Sequence, residues 1–252
     1  MTPLDALSFQ LYSARMLKPL ESQFELLAGL GYDKVEPYAA LFADPDRLRR
    51  LLDRHRMAAP TAHVGLDQLR ADPREVANIC RGLGIGTIFA PAPAPGERGQ
   101  DAAGWRALGQ ELARIGKVVA DEGLQFGWHN HHWEFGRGPD GRTFLEWMFA
   151  EAPNLLWEPD VAWIVRGGAD PVAELVRRAG RVPAVHVKDI APAGRALDED
   201  GWADPGHGTL DWDALLAAMR TAGAKLFVVE HDRPNDVARF ARRARETVSR
   251  WR

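Results

Sequence analysis

Short apolar runs alternate with longer amphipathic stretches along the whole chain. The short runs are too brief for helices and are bounded by Gly, Pro or Asp, which marks them as strands. Eight are predicted, at 6–12, 34–37, 58–63, 86–90, 124–131, 155–160, 184–188 and 225–231. Between them the spacing predicts helices at 19–30, 44–56, 73–83, 101–122, 142–151, 171–179, 211–222 and 234–251. One phrase recurs, a helix, then a glycine, then a strand, at Gly31, Gly84, Gly123 and Gly223. Glycine past the last helical turn is a stop signal. Strands alternating with helices predict parallel pairing through crossover helices, hence an α/β fold. Two connections are long, 91–100 and 190–209. Both follow strands, so in a closed barrel both lie on the C-terminal face, where such barrels carry their sites.

Length agrees with this pattern. The 252 residues suit one (β/α)8 TIM barrel spanning 1–252 as a single domain, a fold that commonly takes about 250 residues. An open doubly wound sheet is the competing topology. Its glycine-rich phosphate loop is missing, because the first strand runs into FQLYSAR. Composition excludes several classes. A net charge of −3 leaves no basic footprint for nucleic acid. The lone Cys80 cannot form an intramolecular disulfide or a thiolate zinc site; it reads as a small core residue. No stretch approaches the roughly 18 apolar residues of a membrane span, and the first residues lack a basic-then-apolar leader pattern. The expectation is a cytoplasmic protein without membrane or nucleic-acid partners, with a homo-oligomer left open.

The polar residues change the picture most. Of eight histidines, seven fall at strand C-termini or just beyond: His63, His129, His131, His132, His186, His207 and His231. Glu36, Glu134, Glu158, Asp160, Asp189, Glu230 and Asp232 are placed similarly. Charge inside a strand is costly unless it is paired or bound to a metal. In VHVKD and VVEHD, the period of two puts His186 with Lys188 on one side, and Glu230 with Asp232 on one side. The intervening valines face the other way, so the polar parity is predicted to face the barrel axis. Glu134, Asp160 and His186 are spaced 26 positions apart, about one strand–helix unit per step, and Glu230 follows on the eighth strand. One donor per strand from the fifth to the eighth would gather a mostly oxygen-based set, suited to Mn2+ first, with Mg2+, Co2+ or Zn2+ also compatible.

GWHNHHWEF (127–135), WEPDVAWIVRGG (157–168), VPAVHVKDI (182–190), PGHGTLDW (205–212) and FVVEHD (227–232) resemble the xylose-isomerase-like sugar isomerase/epimerase superfamily. That superfamily includes ketose 3-epimerases, hydroxypyruvate isomerase, inosose dehydratase and endonuclease IV. SFQLYSAR, KVEPY and TAHVGL extend the resemblance over nearly the whole chain. It implies a metal held by Asp160, His186 and Glu230, with the fifth-strand ligand shared between Glu134 and the alternatives His129 and His131. In the epimerases that ligand is a glutamate inside the strand; here the glutamate arrives late, at Glu134, with parity opposite to His131.

The expected activity is a divalent-metal-dependent isomerase or epimerase of a small sugar, sugar phosphate or keto-sugar, working by proton abstraction and a metal-stabilised enediolate. Glu134 and Glu230 are the expected acid and base, with His131 an additional base. Glu36, His63, His129, Lys188 and His207 are candidate substrate contacts. Each has a plainer reading: Lys188 and Asp189 as a salt-bridged rim, His207 as a loop histidine facing water. Pro159 marks the end of the sixth strand. Arg239, Arg242, Arg243 and Arg245 read as a solvated helix face. The extra histidines keep a dehydratase open as an alternative, and a non-catalytic sugar-binding barrel is a third reading. An abasic-site endonuclease is disfavoured by the charge balance.

Overall fold

A computed structural model describes residues 3–98 and 101–252. The last two positions of the predicted 91–100 loop therefore lie outside the described residues. Eight parallel strands run in chain order around the barrel: β1 (Leu7–Gln10), β2 (Val35–Glu36), β3 (Thr61–His63), β4 (Thr87–Ala90), β5 (Gln125–His129), β6 (Leu156–Glu158), β7 (Ala184–Val187) and β8 (Leu226–Val229). They form two four-stranded arcs, β2-β1-β8-β7 and β3-β4-β5-β6. Isolated parallel bridges join the arcs, at Lys34–Ala58 and Tyr38–His63 on one side and Asp160–His186 on the other. The sheet is thereby closed, which removes the exposed edges an open sheet would leave.

The strands are shorter than their apolar runs predict, because the barrel ladder needs only the middle of each. Residues beyond it are released as turns that carry polar side chains. The predicted helices are present as α1 (Leu20–Gly29), α2 (Pro45–His55), α4 (Pro73–Gly82), α5 (Ala102–Asp121), α6 (Phe144–Glu151), α8 (Pro171–Arg177), α9 (Trp212–Ala222) and α10 (Val237–Ser249). Two short helices, α3 (Leu66–Ala71) and α7 (Val161–Arg166), lie in stretches predicted as loop or strand end. Aspartates start many of these helices: the side chains of Asp44, Asp72, Asp101, Asp211 and Asp236 accept first-turn N–H groups. Gly223 closes α9 at φ +93°, a conformation that favours glycine.

Inward-facing positions follow a gradient along each strand. At the bottom, Phe89, Ala184, Leu226 and Val228 form a small apolar plug. One step of two residues higher the same faces carry His186 and Glu230, and another step brings Lys188 and Asp232. Outward positions such as Val185, Val187 and Val229 join the large core under the helices. The predicted parity is therefore the observed one. Gly127 makes room for the plug, since a Cβ there would lie 2.5 Å from the Phe89 ring.

The 190–209 connection is ordered around one carboxylate. Asp189 Oδ1 accepts from the N–H groups of Ile190, Thr209 and Leu210, and Oδ2 from Gly206, Gly208 and Trp212 Nε1, at 2.8–3.2 Å. A Cβ at Gly208 would sit 2.2 Å from Asp189 Oδ1, so glycine is required for this approach. Asp189–Ile190 pairs antiparallel with Trp202–Ala203, which folds the loop back over the barrel mouth. From outside, Arg239 and Arg243 bind buried Asp204, and Arg239 also reaches Glu199. Arg239 is thus drawn half-buried onto the loop instead of joining the solvated face expected of it, while Arg243 reaches Asp204 from an exposed position on that face. Asp189→Asn halves the acceptor capacity facing six donors. Hydrogen bonds to a charged group contribute about 1.5–3 kcal/mol each. The expected result is lost amide protection across 200–212 in hydrogen exchange, with the β1–β8 ladder still protected.

Candidate active site

The polar ends of the inward faces meet beneath a cavity of about 700 Å3 at the C-terminal mouth. Its walls include Tyr12, Tyr38, Trp163 and Trp202, and its floor includes His63, His129, His131 and Glu230. A second space of about 610 Å3, between α5 and the 152–156 turn, is lined mainly by aliphatic residues remote from this chemistry.

Four side chains, two in this floor and two just behind it, come from four successive strand ends. His129 ends β5, Asp160 follows β6, His186 lies in β7 and Glu230 follows β8. Each offers one donor atom, and these atoms all lie within 4.8 Å of one another. All four are buried. Asp160 is held by its position as the N-cap of α7: Oδ1 accepts from Ala162 N and Trp163 N, both at 2.9 Å. Among the described residues its Oδ2 has no hydrogen-bond partner. A buried carboxylate oxygen left without a donor, inside a two-imidazole, two-carboxylate set, is what a divalent cation requires. The residues present therefore fit such an ion.

Beneath this set lies a second polar layer. Glu36 Oε1 accepts from Gln10 Nε2 and lies against His186 Nε2, both at 2.8 Å. Glu158 Oε2 lies 2.6 Å from His63 Nε2 and 3.2 Å from His129 Nδ1. On its other edge, His186 Nδ1 is 3.0 Å from Glu230 Oε2. Lys188 is fully buried beside Asp232, Glu230 (3.4 Å) and Asp160 (3.6 Å). Its ammonium also lies 4.3 Å from the Trp202 ring centroid and 5.0 Å from that of Trp163.

Burial opposes charge throughout this layer, and the partners decide which groups keep it. For His186 burial works against the proton, but Glu158 and Glu230 outweigh it and hold its pKa well above the imidazole range. Glu230 is likewise desolvated, yet Lys188 and His186 hold it well below the carboxylate range. Asp160 is pushed up to about 6 by burial, against the pull of Lys188. His129 is pushed down to about 3 by burial and by the charge of His186. Glu36 is raised by burial and by Glu158, whereas His186 and His63 hold Glu158 low.

The structure separates the residues expected from the sequence into three sets. Asp160, His186 and Glu230 come together as spaced, and His129 completes them. Glu134 does not reach the group. Its strand has already ended, and a short 3-10 turn (Trp133–Phe135) turns the side chain back under the chain. There Oε1 accepts from Trp128 Nε1 at 2.9 Å and Oε2 from His131 N at 3.1 Å. Burial raises Glu134 to about 7. His207 is exposed and outside the cavity lining, because the flanking N–H groups of Gly206 and Gly208 point to Asp189. Glu36 and Lys188 lie below and beside the cavity, in contact with the floor residues, and His63 lines it. Glu158 was legible only as a strand end, yet it shares parity with Asp160 across Pro159, and that spacing alone would have put both side chains inward. Arg15 and Arg166 at the rim lack any comparable signal.

A closed (β/α)8 barrel with four side chains that could hold a cation near its C-terminal mouth defines the class of protein. Residues 24–251 match the family model described as the xylose isomerase-like TIM barrel, and the chain belongs to that family. An inosose dehydratase of Clostridium botulinum (strain Alaska E43 / Type E3) is 24% identical over 129 residues, covering 46% of this chain and 42% of the relative. The chain spans about half the length of the curated relatives it matches. A sugar phosphate isomerase/epimerase from Parabacteroides distasonis superposes with TM-score 0.80 at 17% identity, over 97% of this chain and 93% of that one. The IOLI protein with a bound zinc atom superposes with TM-score 0.76 at 18% identity, over 97% and 98%. Other proteins of similar fold include a probable 3-DHS dehydratase from Bacillus anthracis and a 3-keto-D-glucoside 4-epimerase from E. coli. Among the described residues, no helix is long and apolar enough to cross a membrane.

Proposed function

We propose that this chain is a divalent-cation-dependent enzyme that moves protons at carbon next to the carbonyl of a small sugar or keto-polyol. One observation carries the reading: the donor atoms of His129, Asp160, His186 and Glu230 gathered under a sugar-sized cavity. These residues would hold the cation, which supplies Lewis acidity toward a carbonyl oxygen. The zinc in the structurally similar IOLI protein supports the same reading. Mn2+ is the expectation for an oxygen-rich set; with two imidazoles beside two carboxylates Zn2+ suits the site equally, and Mg2+ and Co2+ are compatible.

The chain's own residues divide the remaining work. Tyr38 and Trp163 offer aromatic surface to the C–H faces of a sugar, and Trp202, buried under Arg166 and Lys188, closes the wall behind them. His131 lines the cavity, and burial together with His129 keeps its pKa well below the imidazole range. Its Nδ1 has no hydrogen-bond partner among the described residues and is free to exchange a proton with substrate, as a weak base while its pKa stays low. Glu134 fixes the turn that carries His131 by accepting from its backbone N–H. Glu134, expected as a ligand and an acid, therefore enters this reading as a support for His131. The proton carriers are Glu230 and His131.

Isomerisation or epimerisation is the leading reaction. Elimination of water is the second reading, favoured by the similarity to inosose dehydratase and by a further imidazole, His63, in the same floor. Incubation of keto-sugars and inososes in D2O, followed by NMR, tests both. Deuterium at the carbon beside the carbonyl marks isomerisation or epimerisation, and loss of a hydroxyl marks elimination. Chelator is expected to stop either, and Mn2+ to restore it. Undiminished turnover in chelated, metal-free protein would overturn the proposal.

A further inference from the structure

Two buried carboxylates, Glu36 and Glu158, lie under the two imidazoles of the cation set, and the function above uses neither. We propose that they are positioning residues: Glu158 sets the ring of His129, and Glu36 sets the ring of His186, each by accepting one N–H. This rests on the reading of His129 and His186 as cation ligands.

Both carboxylates are wholly buried and outside the cavity lining, so neither is placed to meet substrate. Each meets the rings through one oxygen, and Glu158 Oε2 also lies 3.2 Å from His186 Nε2. Glu158 Oε2 takes His129 Nδ1 and His63 Nε2, and Glu36 Oε1 takes His186 Nε2 and Gln10 Nε2. His63 ties the pair together, 2.6 Å from Glu158 and 3.2 Å from Glu36. An ionised carboxylate only accepts, so the imidazole nitrogen facing it carries the proton. His129 is then protonated at Nδ1 and leaves Nε2 as its free lone pair. His186 has a carboxylate at each nitrogen, Glu36 at Nε2 and Glu230 at Nδ1, so its Nδ1 edge would face a cation only where that cation takes the place of the Nδ1 proton. Metal-binding imidazoles are commonly oriented by a carboxylate at the remote nitrogen, and removing that partner weakens metal binding about 10–100-fold.

The same geometry admits a rival. His63, His129, Glu158 and His186 also place donor atoms within 4.8 Å of one another. Two features favour the positioning role. Glu158 Oε2 is already shared by three rings, those of His63, His129 and His186, and His129 and His186 belong to both sets, so one ion at the mouth would leave these ring–carboxylate contacts in place.

Two measurements test this. The first is the ring-nitrogen 15N NMR of His129 in cation-free wild-type protein, which does not depend on any cation binding. The expected result is the Nδ1–H tautomer, shifting toward a mixture in Glu158→Gln. A proton on Nε2 in the wild type overturns the proposal. The second is titration with Zn2+ alone and Mn2+ alone. Wild type is expected to bind one equivalent, and Glu158→Gln and Glu36→Gln to bind it about 10–100-fold more weakly. Wild-type affinity in both variants overturns the positioning role while leaving the proposed function intact. Two equivalents in wild type and one in Glu158→Gln overturn it in favour of a second cation site. A wild type that binds neither cation defeats the proposed function, and the His129 tautomer still decides whether Glu158 sets that ring.

Discussion

Glu230→Gln is expected to lower kcat/KM by about 10^3-fold and to weaken Mn2+ binding in the same protein. Glu230 is the residue where most roles meet. It supplies a donor to the cation set, lines the cavity, and contacts both His186 and Lys188. Lewis-acid stabilisation of developing charge is worth several kcal/mol, and each 1.36 kcal/mol is a factor of ten in rate. Glutamine keeps the volume and one carbonyl oxygen, so the fold should survive. Its amide cannot carry the negative charge that His186 and Lys188 now face. The check is steady-state kinetics beside calorimetric Mn2+ titration. Kinetics at the wild-type level with saturating Mn2+ would remove Glu230 from the centre.

Lys188→Met is expected to cost stability instead, about 3–5 kcal/mol at pH 8 in chelated protein. The ammonium is buried among Asp160, Glu230 and Asp232, and breaking a buried ion pair by removing one partner leaves uncompensated charge. The pH dependence follows from the signs. Burial already holds Asp160 at about 6, above its ordinary 3.8. A carboxylate raised on folding stabilises fully below its unfolded pKa and loses that contribution as pH rises through the folded one. Without Lys188 the neighbouring carboxylates rise further, so the deficit against wild type should be small near pH 5 and grow toward pH 8. Urea unfolding at both pH values measures it. A deficit that is equal at the two would mean that Lys188 acts through packing on Trp163 and Trp202 alone.

Much of this site was legible before any coordinates. A period of two sorts side chains into two sets, and a closed barrel gives those sets unambiguous destinations, axis or helix ring. His186, Lys188, Glu230 and Asp232 therefore declared themselves by parity, and Asp160 by its spacing from His186. Glu134 did not follow, for a local reason. The parity rule holds only while the chain is extended, and β5 ends at His129, five positions before Glu134. A 3-10 turn then decides the direction of that side chain, and no periodicity records it.

What the sequence determined by itself was the order of strands and helices, the inward face of each strand, and which residue types end it. These are short-range properties, set by alternation, capping aspartates and stop glycines. The tertiary structure alone decided which polar ends meet. It brought His129, one of the alternatives for the fifth strand, beside Asp160, His186 and Glu230 and turned Glu134 back onto Trp128 and His131, set Glu36 and Glu158 against the imidazoles, and turned His207 outward by drawing the flanking amides onto Asp189. Each of these depends on where a strand ceases to be extended and on contacts between residues distant in the chain. The energy of such contacts comes from burial and hydrogen bonding that exist only once the barrel has closed.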